Sequence, residues 1–314
     1  MLQAGFDIGG TNIAAGIVDE DAKLVLKRSI PFPAGEPYQV AVEALAQLLI
    51  EMAQELFVPV SSLASIGIAV PGSIDQASER VVHAYNLQFH DVPLRSALME
   101  YFPSVPVFLA NDANAAALAE LYAGAFIGCK TAVLITLGTG IGGGLILGGR
   151  MFNGGLGNGV ELGHMVLEHG GPLCTCGTRG CIEALCTATW LMQQGRKSLI
   201  EYPHAMIATK AGQVLSNVNA KLVIDCAKAG DAIARDIFDR YVDQLGSALA
   251  SCFNLLDPEV IALGGGVSLA GEFLFSPLRE NVKQKCFFKN CGKIVQARLG
   301  NDAGIIGAAM LAKN

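Results

Sequence analysis

Three cysteines and a histidine fall within 18 residues, from His164 to Cys181. Cys174, Cys176 and Cys181 share one short loop, and Gly177 and Gly180 let that loop fold back. Thiolate and imidazole donors in a tetrahedral set select Zn²⁺. Three thiolates and one imidazole leave no open position, so such an ion would be structural. His169 competes with His164 for the fourth place, and ordinary reduced thiols are the plain alternative. If His164 holds a metal through one nitrogen, its other nitrogen is fixed as a donor. Glu161 and Glu183 flank the loop. With His164 they suit a polyhydroxylated ligand, whose hydroxyls both donate and accept. A lone glutamate is otherwise usually a solvated charge.

Two glycine turns could bind phosphate: Gly9-Gly10-Thr11 and Gly138-Thr139-Gly140. Successive glycines let backbone N–H groups converge on an anion with no Cβ in the way, and each turn adds a threonine hydroxyl. Either turn alone would read as a tight hairpin. A Gly-Lys-Ser/Thr P-loop is absent. Gly138-x-Gly140-x-x-Gly143 matches the dinucleotide fingerprint in letters. That fingerprint must open a helix, and the residues after it read as strand and turn. Asp7 precedes the first turn and could hold Mg²⁺ directly or through water; a turn-capping role is the alternative. Asn111-Asp112 stands between a strand and an Ala-rich helix. Both residue types are favoured N-caps. A carboxylate at a strand's C-terminal end is also where α/β enzymes place chemistry. Asp112 could be the base for a phosphoryl acceptor, with Asn111 orienting that acceptor.

The elements that must carry these groups alternate. Strands are predicted on both sides of the first turn and at 23–29, 64–70, 105–109, 131–137, 143–147 and 260–263. Helices are predicted at 37–57, 113–122, 182–197, 232–256 and 303–312. Pro258 ends the fourth of these. Such alternation gives an α/β protein. Stretches 5–18 and 135–147 both read strand, glycine turn, strand. This weak repeat suggests two related α/β halves facing a shared cleft, with chance similarity of two hairpins as the alternative.

Composition narrows the classes. With 52% hydrophobic and 16% charged residues in 314, the chain has material for a sizeable core and is not disordered. A net charge of −6 lacks the basic stripe of a nucleic-acid-binding protein. The uncharged window 131–149 is long enough to raise a membrane span, but seven glycines break it. Asp7 interrupts any N-terminal targeting segment. Nine cysteines are an odd number and cannot all pair within the chain. Cys186 reads as a helix-core thiol, and the five cysteines outside the cluster read as buried. The expectation is a cytoplasmic protein with reduced thiols.

These motifs converge on a family. Asp7-Ile-Gly9-Gly10-Thr11, Asn111-Asp112-Ala-Asn114, Leu137-Gly138-Thr139-Gly140-Ile-Gly142-Gly143-Gly144, Glu161-Leu-Gly163-His164, Cys174-x-Cys176-Gly-x-x-Gly-Cys181-x-Glu183 and Ala262-Leu-Gly264-Gly265-Gly266-Val267 resemble those of the ROK family. That family holds bacterial sugar kinases and sugar-responsive repressors, and the resemblance runs along essentially the whole chain. It implies an actin-like ATPase (ribonuclease H-like) fold with two α/β domains around a catalytic cleft. Residues 1–115 plus 300–314 would form the small domain, and 116–299 the large one with the zinc-binding loop.

The resemblance also implies roles. Asp7, Gly9, Gly10, Thr11, Asn12, Gly138, Thr139 and Gly140 would hold the phosphates of ATP, with Mg²⁺. Gly264, Gly265, Gly266 and Val267, together with residues near Asn301 and Gly304, would border the nucleoside. Asp112 looks like the catalytic base and a sugar contact. Asn111, Glu161, His164 and Glu183 look like sugar ligands, with Gly72 and Asn86 as additions. His164, Cys174, Cys176 and Cys181 match the family's zinc site. The implied reaction is phosphorylation of a hexose at its primary hydroxyl, glucose to glucose 6-phosphate. N-acetylglucosamine, N-acetylmannosamine, fructose and allose are alternative substrates. Leu185 and Cys186 replace the smaller residues common in glucose-specific members, and would either alter the sugar pocket or repack a helix. A non-catalytic sugar-sensing regulator is the reading from another class. Family repressors carry an additional N-terminal helix-turn-helix domain and can lose catalytic residues. Here the first phosphate motif begins at residue 7 and every kinase motif is intact. A homodimer is the family habit, and no nucleic-acid or membrane partner is expected.

Overall fold

The computed structural model describes residues 1–157 and 159–314. Its first five-stranded sheet contains β1 (Gln3–Ile8), β2 (Asn12–Val18), β3 (Leu24–Pro31), β4 (Ile66–Val70) and β8 (Val107–Asn111), in the order β3-β2-β1-β4-β8. β1 and β2 form the antiparallel hairpin around Gly9-Gly10-Thr11. β1, β4 and β8 run parallel, with Asp7 beside Ala69 and Val70 beside Asn111. Three parallel strands therefore deliver Asp7, the Pro71-Gly72 turn and Asn111 to one edge, the C-terminal edge where open α/β sheets bind ligands.

The second sheet repeats the plan. It contains β9 (Thr131–Leu137), β10 (Ile141–Leu147), β11 (Arg150–Met151), β12 (Val260–Gly264) and β13 (Lys293–Gln296), in the order β11-β10-β9-β12-β13. β12 runs parallel to β9 and places Gly264 opposite Thr136. The Gly138 turn and the Gly264–Gly266 run thus leave the same end of that sheet. A third sheet, β5 (Ser73–Ile74), β6 (Val81–Ala84) and β7 (Phe89–Val92), is antiparallel. Its strands are two to four residues long, too short for an alternating pattern to be visible in sequence.

The helices are α1 (Tyr38–Glu55), α2 (Leu94–Tyr101), α3 (Asp112–Ala123), α4 (Ile182–Leu185), α5 (Ala188–Glu201), α6 (Met206–Lys210), α7 (Ala220–Lys228), α8 (Ala232–Leu256), α9 (Glu272–Lys285) and α10 (Ala303–Ala309). α1 buries Ala41, Val42, Leu45, Leu48, Leu49 and Met52, the face its 3.6-residue period predicts. The single helix predicted at 182–197 is two. Thr187 interrupts it, because its side chain accepts from Trp190 N and caps a new helix. The helix predicted at 303–312 stops at Ala309 and continues as a 3₁₀ turn, Met310–Lys313. α10 is rich in Gly and Ala, and its backbone lies directly on Gly5 of β1 and Gly67 of β4. No helix among the described residues is long and apolar enough to cross a membrane.

The chain divides into two compact units. One comprises Met1–Lys130, Gly144–Val160 and Ala297–Asn314, the other Thr131–Gly143 and Glu161–Gln296. The expected cut at residue 115 falls inside α3.

Candidate active site

In the first unit, Asn111 is the N-cap of α3. Its Oδ1 accepts from Ala113 N at 2.9 Å and Asn114 N at 3.2 Å, and its Nδ2 donates to Gly72 O at 3.1 Å. The capping alternative is therefore correct for Asn111. It leaves one amide hydrogen of Asn111 for a ligand. Asp112 opens the helix, where the positive end of the dipole favours a carboxylate. Gly72 has φ +107, and a Cβ there would meet His83 O at 2.0 Å, so no other residue fits this turn.

Asp7 packs against Gly304 of α10. Burial pushes its carboxyl up to about 6, with the Asp112 charge adding to the rise and Lys27 opposing it. The two carboxylates therefore share one neighbourhood. The first glycine turn is closed by Gly9 N donating to Asn12 O at 2.8 Å, and Thr11 and Asn12 are exposed beyond it. Asn86 lies exposed in a short 3₁₀ turn, Tyr85–Leu87, with its backbone oxygen 3.4 Å from where a Gly10 Cβ would stand.

In the second unit, Gly138 N donates to Gly140 O at 3.1 Å. Gly138 O and Thr139 O receive Ala188 N at 2.9 Å and Thr189 Oγ1 at 3.1 Å, which fasten the turn to the start of α5. Glu183 does more than its sequence position suggests. Its Oε2 accepts from Ile141 N at 3.0 Å, and its Oε1 accepts from Thr175 Oγ1 at 3.0 Å. One carboxylate thus ties the cysteine loop to the residue that follows the second glycine turn. Glu161 is exposed and begins the 3₁₀ turn Leu162–His164.

His164, Cys174, Cys176 and Cys181 offer four donor atoms that all lie within 4.8 Å of one another. Cys174 Sγ is 3.7 Å from His164 Nδ1, and Cys176 Sγ is 3.7 Å from Cys181 Sγ. His169 is not part of this set. The Thr178 backbone N–H lowers the Cys176 thiol to about 7, which favours the thiolate a metal requires. None of the nine cysteines is in a disulfide; of the five expected to be buried, Cys226 and Cys252 are, whereas Cys129, Cys286 and Cys291 are half-buried. Leu185 and Cys186 are buried, and Cys186 O receives the Tyr241 hydroxyl at 2.9 Å. Those two residues pack the interior of the second unit.

A cavity of about 580 Å³ adjoins the second turn. Thr139, Gly266, Val267 and Leu269 line one part, and Met192, Lys221, Asp225 and Lys228 line another. The sequence reading missed the α5 and α7 contributions. Their only signal was Lys221, Asp225 and Lys228 at helical spacing, which also describes a solvated face.

Solved structures place this architecture in a class. A ROK hexokinase from Thermus thermophilus is 36% identical, with a TM-score of 0.84 over 99% of this chain and 97% of its own. A ROK family glucokinase from Streptomyces griseus, in complex with glucose and AMPPNP, is 30% identical, with a TM-score of 0.81 over 100% of this chain and 99% of its own. The fold is the actin-like ATPase fold. A glucokinase of Thermotoga maritima is 38% identical over 312 residues, 98% of this chain and 96% of the relative. The ROK family model matches residues 3–314, and the chain belongs to that family.

Proposed function

We propose that this chain is an ATP-dependent hexose kinase that converts glucose to glucose 6-phosphate. The observation that carries the reading is Asp112, a carboxylate at the start of α3 beside the half-buried Asp7, in a chain similar to a glucokinase at 38% identity. Asp112 accepts the proton of the sugar's primary hydroxyl as that oxygen approaches the γ-phosphorus in line. A positioned base of this kind contributes roughly 10²–10⁴-fold. Gly9 N and Gly138 N close the two turns, and the N–H groups of Gly10 and Gly140, with Thr11, Asn12 and Thr139, stabilise charge on the phosphoryl oxygens. Holding both substrates in place supplies about 7–11 kcal/mol more.

The nucleoside occupies the cavity beside Gly264–Gly266. Glu161, His164, Glu183 and Asn111 hold the sugar hydroxyls, with Gly72 and Asn86 as additional contacts. Glu183 Oε2 already accepts from Ile141 N, and Oε1 accepts from Thr175 Oγ1 and the Cys174 thiol, so the sugar uses the lone pair left on Oε2 and the one that zinc binding by Cys174 would release. Two neighbouring carboxylates, Asp7 and Asp112, suit a divalent cation, and Asp7 would hold Mg²⁺ directly or through water. Bound with the nucleotide, Mg²⁺ would neutralise part of the phosphate charge. The Cys₃His donor set fits Zn²⁺: Cys174 Sγ–His164 Nδ1 and Cys176 Sγ–Cys181 Sγ are each 3.7 Å apart, near the edge length of a tetrahedral site. Zinc there would cross-link the loop that carries His164 and Glu183. The reading is completed by a cytoplasmic homodimer whose working domains are the two compact units, the first of which joins the N- and C-terminal segments.

The test is initial-rate ADP release with glucose, N-acetylglucosamine, N-acetylmannosamine, fructose, mannose and allose. Glucose is expected to give the highest kcat/KM. A tenfold preference for another hexose moves the substrate, and no stimulation by any of them sinks the kinase reading in favour of a sensor.

A further inference from the structure

The small three-stranded sheet carries a feature the phosphoryl-transfer chemistry does not use. His83 of β6 and His90 of β7 are directly opposite each other in the antiparallel register. Both side chains are exposed, and their Nδ1 atoms stand 3.3 Å apart. Tyr85 stacks on His83, with centroids 5.8 Å apart and planes within 5°, and meets His90 edge-on at 6.4 Å. The stacking restrains both imidazoles. The neighbouring carboxylate of Asp91 is taken by Arg80, whose Nε donates to it at 2.7 Å. Among the described residues no ion pair involves either histidine.

We infer that His83 and His90 form a second transition-metal site, distinct from the Cys₃His cluster. Two imidazole nitrogens bound to one tetrahedral ion at about 2.05 Å are separated by about 3.3 Å. That is the spacing the sheet presents. A plain hydrogen bond between two rings closes to about 2.9–3.0 Å. Imidazole donors select Zn²⁺, Ni²⁺ and Cu²⁺ over Mg²⁺ and Ca²⁺. With two protein ligands the remaining positions go to water, so this site exchanges its ion readily, whereas the Cys₃His set has no open position. An ion held here links β6 to β7 through side chains and clamps the hairpin that carries Asn86. The inference stands on this sheet alone and does not depend on the reaction proposed above.

The experiment is calorimetric titration of zinc-loaded protein, with one equivalent verified at the cysteine cluster, using Ni²⁺ alone as the probe. One further equivalent is expected. Affinity should fall about tenfold or more in His83→Ala and in His90→Ala, and stay unchanged in His204→Ala. Added Ni²⁺ should slow amide exchange across residues 81–92 in the wild type and leave it unchanged in the double variant. Absence of a further equivalent, or equal affinity in the double variant, overturns the site. Circular dichroism of each variant guards against misfolding, since both side chains are exposed and their removal leaves no cavity.

Discussion

Asp7 is acidic in type but is held where ionisation is costly. Burial and the neighbouring Asp112 charge raise its carboxyl from 3.8 to about 6, so the folded chain binds this proton more tightly than the unfolded chain. Its contribution to stability is therefore complete below about pH 4. It is lost as pH rises towards and through about 6, and constant above that. Without Mg²⁺ or nucleotide, Asp7→Asn should be more stable than the wild type at pH 8 by on the order of 1–3 kcal/mol, with the gap closing by pH 4. Denaturant midpoints across that range check this; a gap that widens on acidification contradicts it. At this scale much of the site was legible. Asp7, Asn111-Asp112 and the cysteines announce themselves through local spacing. Glu183 was legible only as a candidate ligand, because its partner Ile141 lies 42 residues away in sequence. Lys221, Asp225 and Lys228 were not legible, since a cavity-lining helix surface and a watered one have the same letters.

The elements explain why the glycines are where they are. None of Gly9, Gly10, Gly138 and Gly140 has a left-handed φ. Those turns use glycine for an unobstructed backbone. Gly265 differs, with φ +78 and a Cβ position 2.5 Å from Leu137 O. Gly265→Ala should lower stability by roughly 1–3 kcal/mol from backbone strain alone, and an unchanged unfolding midpoint would contradict that geometry. The cysteine loop is coupled to the second turn through Thr175, Glu183 and Ile141. Chelation of zinc should therefore speed amide exchange from Glu161 to Glu183 and at Ile141, and weaken glucose binding. Unchanged glucose affinity in verified zinc-free protein would count against the coupling. α1, α3 and α8 were readable, whereas α2, α7, α9 and the break at Thr187 were not. A threonine hydroxyl can cap a helix or point to solvent, and only the tertiary setting decides.

At the scale of the molecule, the faint repeat of two glycine hairpins becomes two sheets of one plan, each a hairpin strand pair followed by two parallel strands. That plan was visible only in its first step, because β4, β8, β12 and β13 join their sheets through pairings distant in sequence. The net charge of −6 is no obstacle to an anionic substrate. Local N–H groups and a cation, not overall charge, set the potential at a phosphate. The central claim is that Asp112 is the base for transfer to a hexose. It is tested most directly by the rate of glucose 6-phosphate formation in Asp112→Asn, an almost isosteric change that keeps the helix-capping geometry. The account predicts a fall in kcat of about 10²–10⁴-fold with folding intact. Formation of glucose 6-phosphate at close to the wild-type rate would contradict it.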